Sequence, residues 1–281
     1  MVKTIAEIGI NYAYGKDKND FIKHTKELID IAKFSGFDYV KFQKRNPDIC
    51  VPDDQKDKLK SVPWMDEPIT YLQYKKDIEF GADEYDQIDA YCKDKDIKWF
   101  ASVWDKDSVD FMKGYVDIMK IPSAKIDDIE LIKYARQHSR LLMISTGMSN
   151  EDEILEAYEA GHPNVLFHTN STYPSPINEL NLGYITWLKE KYSNSQIGYS
   201  GHEWGLTTTM AAVGLGAKWI ERHVTLNRTE WGSDQASSVE PTGMLKLIKG
   251  IKDIEIAIKT GYGPREVIGS EKSKRESLRG K

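Results

Sequence analysis

Short apolar runs alternate with longer amphipathic stretches along the whole of this 281-residue chain. Eight runs read as strands: TIAEIGI from residue 4, DYVKFQ from 38, KWFASV from 98, VDIMKI from 116, LLMIST from 141, NVLFHT from 164, QIGYS from 196 and AKWIERH from 217. Between them the apolar positions recur at helical spacing. In DFIKHTKELIDIAKFSG, residues 20–36, Ile22, Leu28, Ile29, Ile31 and Ala32 form one stripe, and Gly36 is placed to cap the end. NEDEILEAYEAG opens on Asn150 as an N-cap with an acidic first turn and closes at Gly161. Residues 243–261 read as a long final helix. Eight strand–helix units with short connections predict an α/β fold whose parallel sheet closes into a (β/α)8 TIM barrel. An open doubly wound sheet is the alternative, but no G-x-G-x-x-G follows the first strand. The barrel is expected over residues 1–270, with 271–281 a basic, solvated tail. One long insertion interrupts the pattern, from Arg45 to Asp77, with four prolines and the aromatics Trp64, Tyr71 and Tyr74. A loop of that length in a compact domain is functional or disordered.

Composition narrows the class. A barrel of this kind takes about 250 residues, so the length suits one. The net charge is −5 and no long basic block stands out, so the electrostatic footprint of a nucleic-acid binder is missing. No apolar stretch approaches the ~18 residues of a membrane helix, and the first apolar run is too short for a signal peptide. Cys50 and Cys92 make neither a disulfide framework nor a CxxC motif. These features predict a reduced, soluble, cytoplasmic protein with no nucleic-acid or membrane partner.

Chemistry in a parallel barrel sits at the carboxyl ends of the strands, and every candidate strand here ends in polar residues. In chain order they are Glu7 and Asn11; Lys41 and Gln43; Ser102; Lys120 and Ser123; Ser145 and Thr146; Thr169, Asn170 and Ser171; Ser200 and His202; and Glu221 and His223. Side chains alternate along a strand, so Lys41 and Gln43 share a face. Glu221 and His223 do too, with Arg222 on the other side. A single strand-end lysine is more often a solvated surface residue, and Ser102 and Ser145 read equally as caps of the helices that follow. Eight polar strand ends in a row describe a mixed-charge pocket.

Two lysines among several serines suit an anionic ligand, most simply a phosphate. A lysine deep in a barrel also suits a Schiff base, as in an aldolase, and a catalytically dead sugar-binding barrel is a third reading. Of the six histidines, His162 reads as a loop residue, His24 and His138 as surface, and His168 as a satisfied core residue. His202 and His223 lie about one strand–helix unit apart. They therefore fall at one level of adjacent strands, where two imidazoles with nearby carboxylates suit Mn²⁺, Zn²⁺ or Fe²⁺.

The motifs AEIGIN, VKFQ, MKIPSA, ISTGMS, HTNSTYPSP, IGYSGHE, IERHVTL and GSDQASSVEP, in that order, resemble those of the sialic acid (N-acetylneuraminate) synthases. The resemblance implies a barrel that condenses phosphoenolpyruvate with an open-chain amino sugar of the N-acetylmannosamine type, giving a nonulosonic acid and phosphate. It implies a divalent metal, Mn²⁺ before Mg²⁺ or Co²⁺, on His202 and His223. It assigns phosphoenolpyruvate to Lys41, Lys120, Ser123, Ser145, Ser171 and Ser200, with Ser102 beside them. It assigns the sugar or the metal water to Glu7, Gln43, Tyr173, Glu221 and Asp234. Glu221, Lys120 and Glu7 become the expected catalytic residues, and a homodimer the expected assembly.

The chain departs from that family's pattern at four points. Tyr12 stands where a histidine is usual, Val103 where a hydroxyl is usual and Lys125 where an acid is usual. The expected domain plan also lacks the C-terminal antifreeze-like domain, which in full-length relatives brings an arginine to the partner's sugar. Arg45 is the first candidate to replace that arginine, and Arg275 or Arg279 the second.

Overall fold

A computed structural model describes residues 1–259 and 264–280. The strands are β1 (Lys3–Gly9), β2 (Tyr39–Lys44), β3 (Leu59–Lys60), β4 (Ile69–Thr70), β5 (Lys98–Val103), β6 (Ile118–Ile121), β7 (Leu141–Ser145), β8 (Val165–Thr169), β9 (Gln196–Gly201) and β10 (Trp219–His223). Eight of them close a parallel barrel in the order β1-β10-β9-β8-β7-β6-β5-β2, and each predicted run lies on one of the eight. The helices are α1 (Lys18–Ser35), α2 (Pro47–Cys50), α3 (Asp53–Lys56), α4 (Tyr71–Ile78), α5 (Ala82–Asp94), α6 (Lys106–Met112), α7 (Ile129–His138), α8 (Glu151–Gly161), α9 (Tyr184–Lys191), α10 (Thr207–Gly214), α11 (Pro241–Lys259) and α12 (Glu271–Arg279). The expected final helix 243–261 is α11; its last two residues, Thr260 and Gly261, lie outside the described residues.

The barrel interior follows the two-residue period of its strands. Ile5, Tyr39, Phe100, Ile118, Met143, Val165, Phe167 and Trp219 point inward and form an apolar plug. Two positions further along seven of the strands the inward residue is polar, at Glu7, Lys41, Ser102, Lys120, Ser145, Thr169 and Glu221, and in β9 Ser200 follows Gly198 in the same way. Gly198 in β9 leaves the space that the Phe167 ring fills, since a Cβ there would stand 2.6 Å from it. The outward-facing strand residues meet the helices in a separate and larger core, to which Leu28, Ile29 and Ala32 of α1 contribute.

Local signals set the helix ends. Gly36 takes a left-handed conformation (φ 93°) and its N–H closes α1 onto Ala32 and Lys33. Asn150 accepts from the N–H groups of Asp152 and Glu153 at the start of α8. Asp105 does the same for α6 through Ser108. Those two caps leave Ser102 and Ser145 free for another use.

The Arg45–Asp77 insertion is ordered. It holds α2, α3, the antiparallel β3–β4 ribbon and most of α4. Its aromatics pack beyond themselves: Trp64 lies 5.3 Å from Trp231 and 5.3 Å from Phe21, and Tyr74 lies 5.5 Å from Trp231, ring to ring. Trp231 belongs to the loop after β10, so the insertion, which follows β2, is fastened across β1 to that loop. Tyr12 is part of the same fastening. Its buried hydroxyl donates to the Ile78 carbonyl at 2.8 Å and its ring stacks on Phe80 at 4.0 Å, so here it is a packing residue.

Two expectations about histidines need correction or refinement. His24 is buried, because α1 turns that face toward Glu230 (3.2 Å) and the Tyr14 ring (5.0 Å). His138 is half-buried, with its ring nitrogen on the Tyr134 carbonyl at 2.9 Å. The expected solvated tail carries the helix α12, none of whose residues is buried.

Candidate active site

At the carboxyl ends of the strands a cavity of about 180 Å³ opens, lined by Glu7, Lys41, Gln43, Ser102, Lys120, Ser123, Ser145, Ser171, Tyr173, Ser200, His202, Glu221 and His223. That is the space of about six waters, which suits a small ligand at the floor. Register explains why residues so distant in sequence meet. Glu7 pairs with both Lys41 and His223, Ser102 with both Gln43 and Lys120, and Ser200 with both Thr169 and Glu221.

The floor is a closed network of buried charges. Lys41 Nζ reaches Glu7 Oε2 at 2.8 Å, Ser102 Oγ at 3.0 Å and Glu221 Oε1 at 3.6 Å. Lys120 Nζ donates to Glu221 Oε1 at 2.8 Å and sits 4.2 Å over the Phe167 ring. Ser200 donates to the same oxygen at 3.0 Å, and Gln43 donates to Glu7 Oε1 at 2.9 Å. Burial works against ionising Glu221, but Lys120 and Lys41 outweigh it and hold its pKa at about 2. Burial also works against a charged Lys41, and there Glu221 and Glu7 win, so its pKa is raised. For Lys120 burial wins and the pKa falls to about 8, with Glu221 opposing the fall and Lys41 adding to it. Glu221 Oε2 is left without a hydrogen-bond partner. Two lysines balanced by two carboxylates keep both ammonium groups in place before any ligand arrives.

A cradle of small donors stands beside the lysines. Gly147 N–H donates to Ser123 Oγ at 3.1 Å. A Cβ on Gly147 would stand 2.2 Å from Ser171 Oγ and 2.8 Å from Ser123 Oγ, so only glycine lets the chain pass between those two hydroxyls. Gly147, Trp104 and Met148 shape the same region without a charged or hydroxyl group to mark them in the sequence. The signals present were the GM that follows the seventh strand, and Trp104 one position beyond the fifth.

The two histidines are neighbours, as the register of β9 and β10 dictates, with ring centroids 5.4 Å apart. His202 Nδ1 meets the Asn170 carbonyl at 2.6 Å. A carbonyl only accepts, so Nδ1 carries the proton and Nε2 is left with its lone pair. That nitrogen faces the Tyr173 hydroxyl at 2.9 Å, and His223 Nε2 faces the same hydroxyl at 3.5 Å. Burial, and then His223, hold His202 well below the ordinary imidazole pKa, so it is neutral at pH 7. His223 Nδ1 lacks a hydrogen-bond partner, with Asp234 Oδ2 3.7 Å away. Among the described residues no group of three or more His, Cys, Asp or Glu side chains stands in metal-holding geometry. Two imidazole nitrogens aimed at one point nevertheless fit a divalent ion whose other positions are filled by oxygen from water or substrate.

The remaining expected residues divide. Asp234 stands above the cavity behind His223 and does not line it. Asn11 turns away, donating to the Val224 carbonyl at 2.9 Å and Ser238 Oγ at 2.8 Å, so it ties two loops together. Thr146 donates to the Phe167 carbonyl at 3.0 Å. His168 is the satisfied core residue expected, 2.7 Å from the Leu180 carbonyl. Arg45 lies at the cavity edge, its guanidinium hydrogen-bonded to Gln43 and 4.2 Å over the Trp104 ring. Arg275 and Arg279 are exposed on α12. Val103 is fully buried, and Lys125 lies 3.9 Å from Asp128.

Three comparisons bear on this site. A model of the NeuB family matches residues 28–262. An N-acetylneuraminate-9-phosphate synthase of Drosophila melanogaster is 32% identical over 275 residues, which is 95% of this chain and 71% of that protein. An N,N'-diacetyllegionaminic acid synthase of Campylobacter jejuni is 32% identical over 271 residues, 92% of this chain and 77% of that one. Among solved structures, the N-acetylneuraminic acid (sialic acid) synthetase of Leptospira borgpetersenii superposes with a TM-score of 0.83 at 30% identity, covering 100% of this chain and 93% of that one.

Proposed function

This chain belongs to the NeuB family of phosphoenolpyruvate-dependent nonulosonic acid synthases, and from that premise we propose that it joins phosphoenolpyruvate to the open-chain aldehyde of an N-acylhexosamine. The observation that carries the reading is the pair of buried ammonium groups, Lys41 and Lys120, held beside a serine cradle and below two convergent imidazoles. Relatives at near-equal identity make different nine-carbon acids, so the family alone leaves the acyl pattern of the acceptor open.

In this reading Lys41 and Lys120 bind the phosphoenolpyruvate anion as point charges, and the hydroxyls of Ser123, Ser145, Ser171 and Ser200 orient it. Glu7 and Glu221 keep the lysines in position and protonated. The phosphoenolpyruvate C3 then faces the acceptor aldehyde carbon. The new C3–C1 bond forms as the alkene opens, water adds at C2, and phosphate leaves with the C–O bond. NeuB-family enzymes generally use a divalent metal; His202 and His223 would hold it, and it would supply Lewis acidity toward the acceptor carbonyl. Gln43 and Tyr173 border the acceptor side and position its hydroxyls, with Asp234 behind His223. The plug beneath the floor keeps water from entering from below. No helix among the described residues is long and apolar enough to cross a membrane.

One observation favours a second reading. Lys120 packs on Phe167 with its pKa drawn down to about 8, an environment that also suits Schiff-base chemistry. Its 2.8 Å contact with Glu221 keeps it an ammonium and argues for the anion seat. The test is an acceptor screen with phosphoenolpyruvate and Mn²⁺, following phosphate release. Release that requires both substrates supports the synthase, while a borohydride-trapped adduct on Lys120 would establish the aldolase.

A further inference from the structure

Lys75, in α4 of the insertion, is 9% exposed, yet it makes no hydrogen bond or ion pair among the described residues. Its ammonium lies 5.3 Å from the Tyr71 ring centroid and 4.9 Å from that of Tyr74. Ring faces soften the cost of burying a cation but do not replace an anion. Burial first, then Arg45, lower its pKa to about 8; Lys60 adds to the fall, and Asp234 and Glu79 oppose it.

Its neighbours share the same imbalance. Lys60 lies over the rings of Tyr74 (5.2 Å) and Trp231 (5.4 Å) and has no carboxylate within 4 Å among the described residues. Arg45 has none either and spends its guanidinium on Gln43 and Trp104. Of the two nearby acids only Asp234 lacks a lysine or arginine partner among the described residues. Glu79 holds Lys44 at 2.8 Å and the Arg45 N–H at 3.2 Å. Asp234 accepts from Ser233 at 2.7 Å and faces His223 at 3.7 Å. Glu7 and Glu221 of the floor are not among the groups that bias Lys75.

We propose that Lys75, with Lys60 and Arg45, forms a second anion subsite at the rim between Gln43 and Asp234, and that it takes a phosphate monoester carried by the acceptor sugar. Three cations against one neighbouring free carboxylate leave two positive charges. A phosphate monoester, with a charge of about −1.5 to −2 at pH 7, balances them where a single carboxylate does not. The position follows from these contacts: Arg45 reaches the cavity wall through Gln43, Asp234 stands behind His223, and both bear electrostatically on Lys75. An acceptor whose aldehyde lies by the histidines can extend its far carbons toward this rim. The inference rests on the proposed synthase reading for the identity of the sugar, but the subsite can be tested without turnover.

The probe is a hexitol 6-phosphate, which has no aldehyde to react, compared with the free hexitol. Each is titrated calorimetrically into the full chain with phosphoenolpyruvate present to occupy the floor. Wild type is expected to bind the phosphate ester more tightly by about tenfold to hundredfold, the worth of a hydrogen bond to a charged group. Lys75→Met should erase most of that preference and leave hexitol binding unchanged. Lys60→Met, at a half-buried position, should erase part of it and serves if Lys75→Met does not fold. Equal binding of the two ligands by wild type, or an undiminished preference in the variants, would overturn the subsite. Failure of the synthase reading gives a different result: no phosphate release with any acceptor, while the Lys75-dependent preference persists.

Discussion

The floor of the barrel mouth and its rim hold cations in opposite ways. On the floor Lys41 and Lys120 stand on strands, each within 2.8 Å of a carboxylate, with Glu221 held ionised against the cost of burial. At the rim Lys60 and Lys75 stand on an insertion, held by aromatic rings and lacking a carboxylate partner. Paired charges are pre-positioned, and the protein itself meets their desolvation cost. Unpaired ones await a ligand to complete them. The rigid part of the fold thus carries the step common to all substrates, and the inserted part carries the choice among them.

The comparison can be broken most severely at the floor. Lys120→Met removes a point charge from the reacting anion and should lower kcat/KM for phosphoenolpyruvate by about a thousandfold; a change under tenfold would move the anion seat elsewhere. Glu221→Ala leaves Lys120 and Lys41 facing each other across a buried gap. It should cost about 3–5 kcal/mol of stability, read by denaturant titration. The pH profile follows from Lys120. Its pKa is depressed to about 8, so the cation is present below that value and lost as pH rises through it. In the free enzyme kcat/KM for phosphoenolpyruvate should therefore fall about tenfold per pH unit above 8, whereas a flat profile to pH 10 would contradict the seat. The smallest effect belongs to the rim: Trp231→Ala loosens the ring contacts to Trp64 and Tyr74 and should raise the acceptor KM severalfold while leaving that for phosphoenolpyruvate unchanged.

The floor was legible in the sequence and the rim largely was not, for a physical reason. A parallel strand fixes side-chain direction every two residues, so the sequence alone places Lys41 with Gln43, and Glu221 with His223, on one face. The 21-residue step from His202 to His223 is one strand–helix unit, and register does the rest. The insertion has no such period. Nothing local says that Lys75 packs on tyrosines of its own segment while Trp231, about 150 residues later, closes over them. His24 fails for the same reason, since its burial depends on Glu230 from another loop. Gly147 was visible only as a common STGM string, because its role depends on Ser123 and Ser171 arriving on either side.

The most direct test of the division between floor and rim is a crossed binding measurement. Phosphoenolpyruvate and a hexitol 6-phosphate, the latter with phosphoenolpyruvate already present, are each titrated into wild type, Lys120→Met and Lys75→Met. Lys120→Met should lose affinity for phosphoenolpyruvate, whereas Lys75→Met should keep that affinity and lose the hexitol phosphate. If both substitutions weakened both ligands alike, the two cation sets would be one site and the division argued here would be wrong.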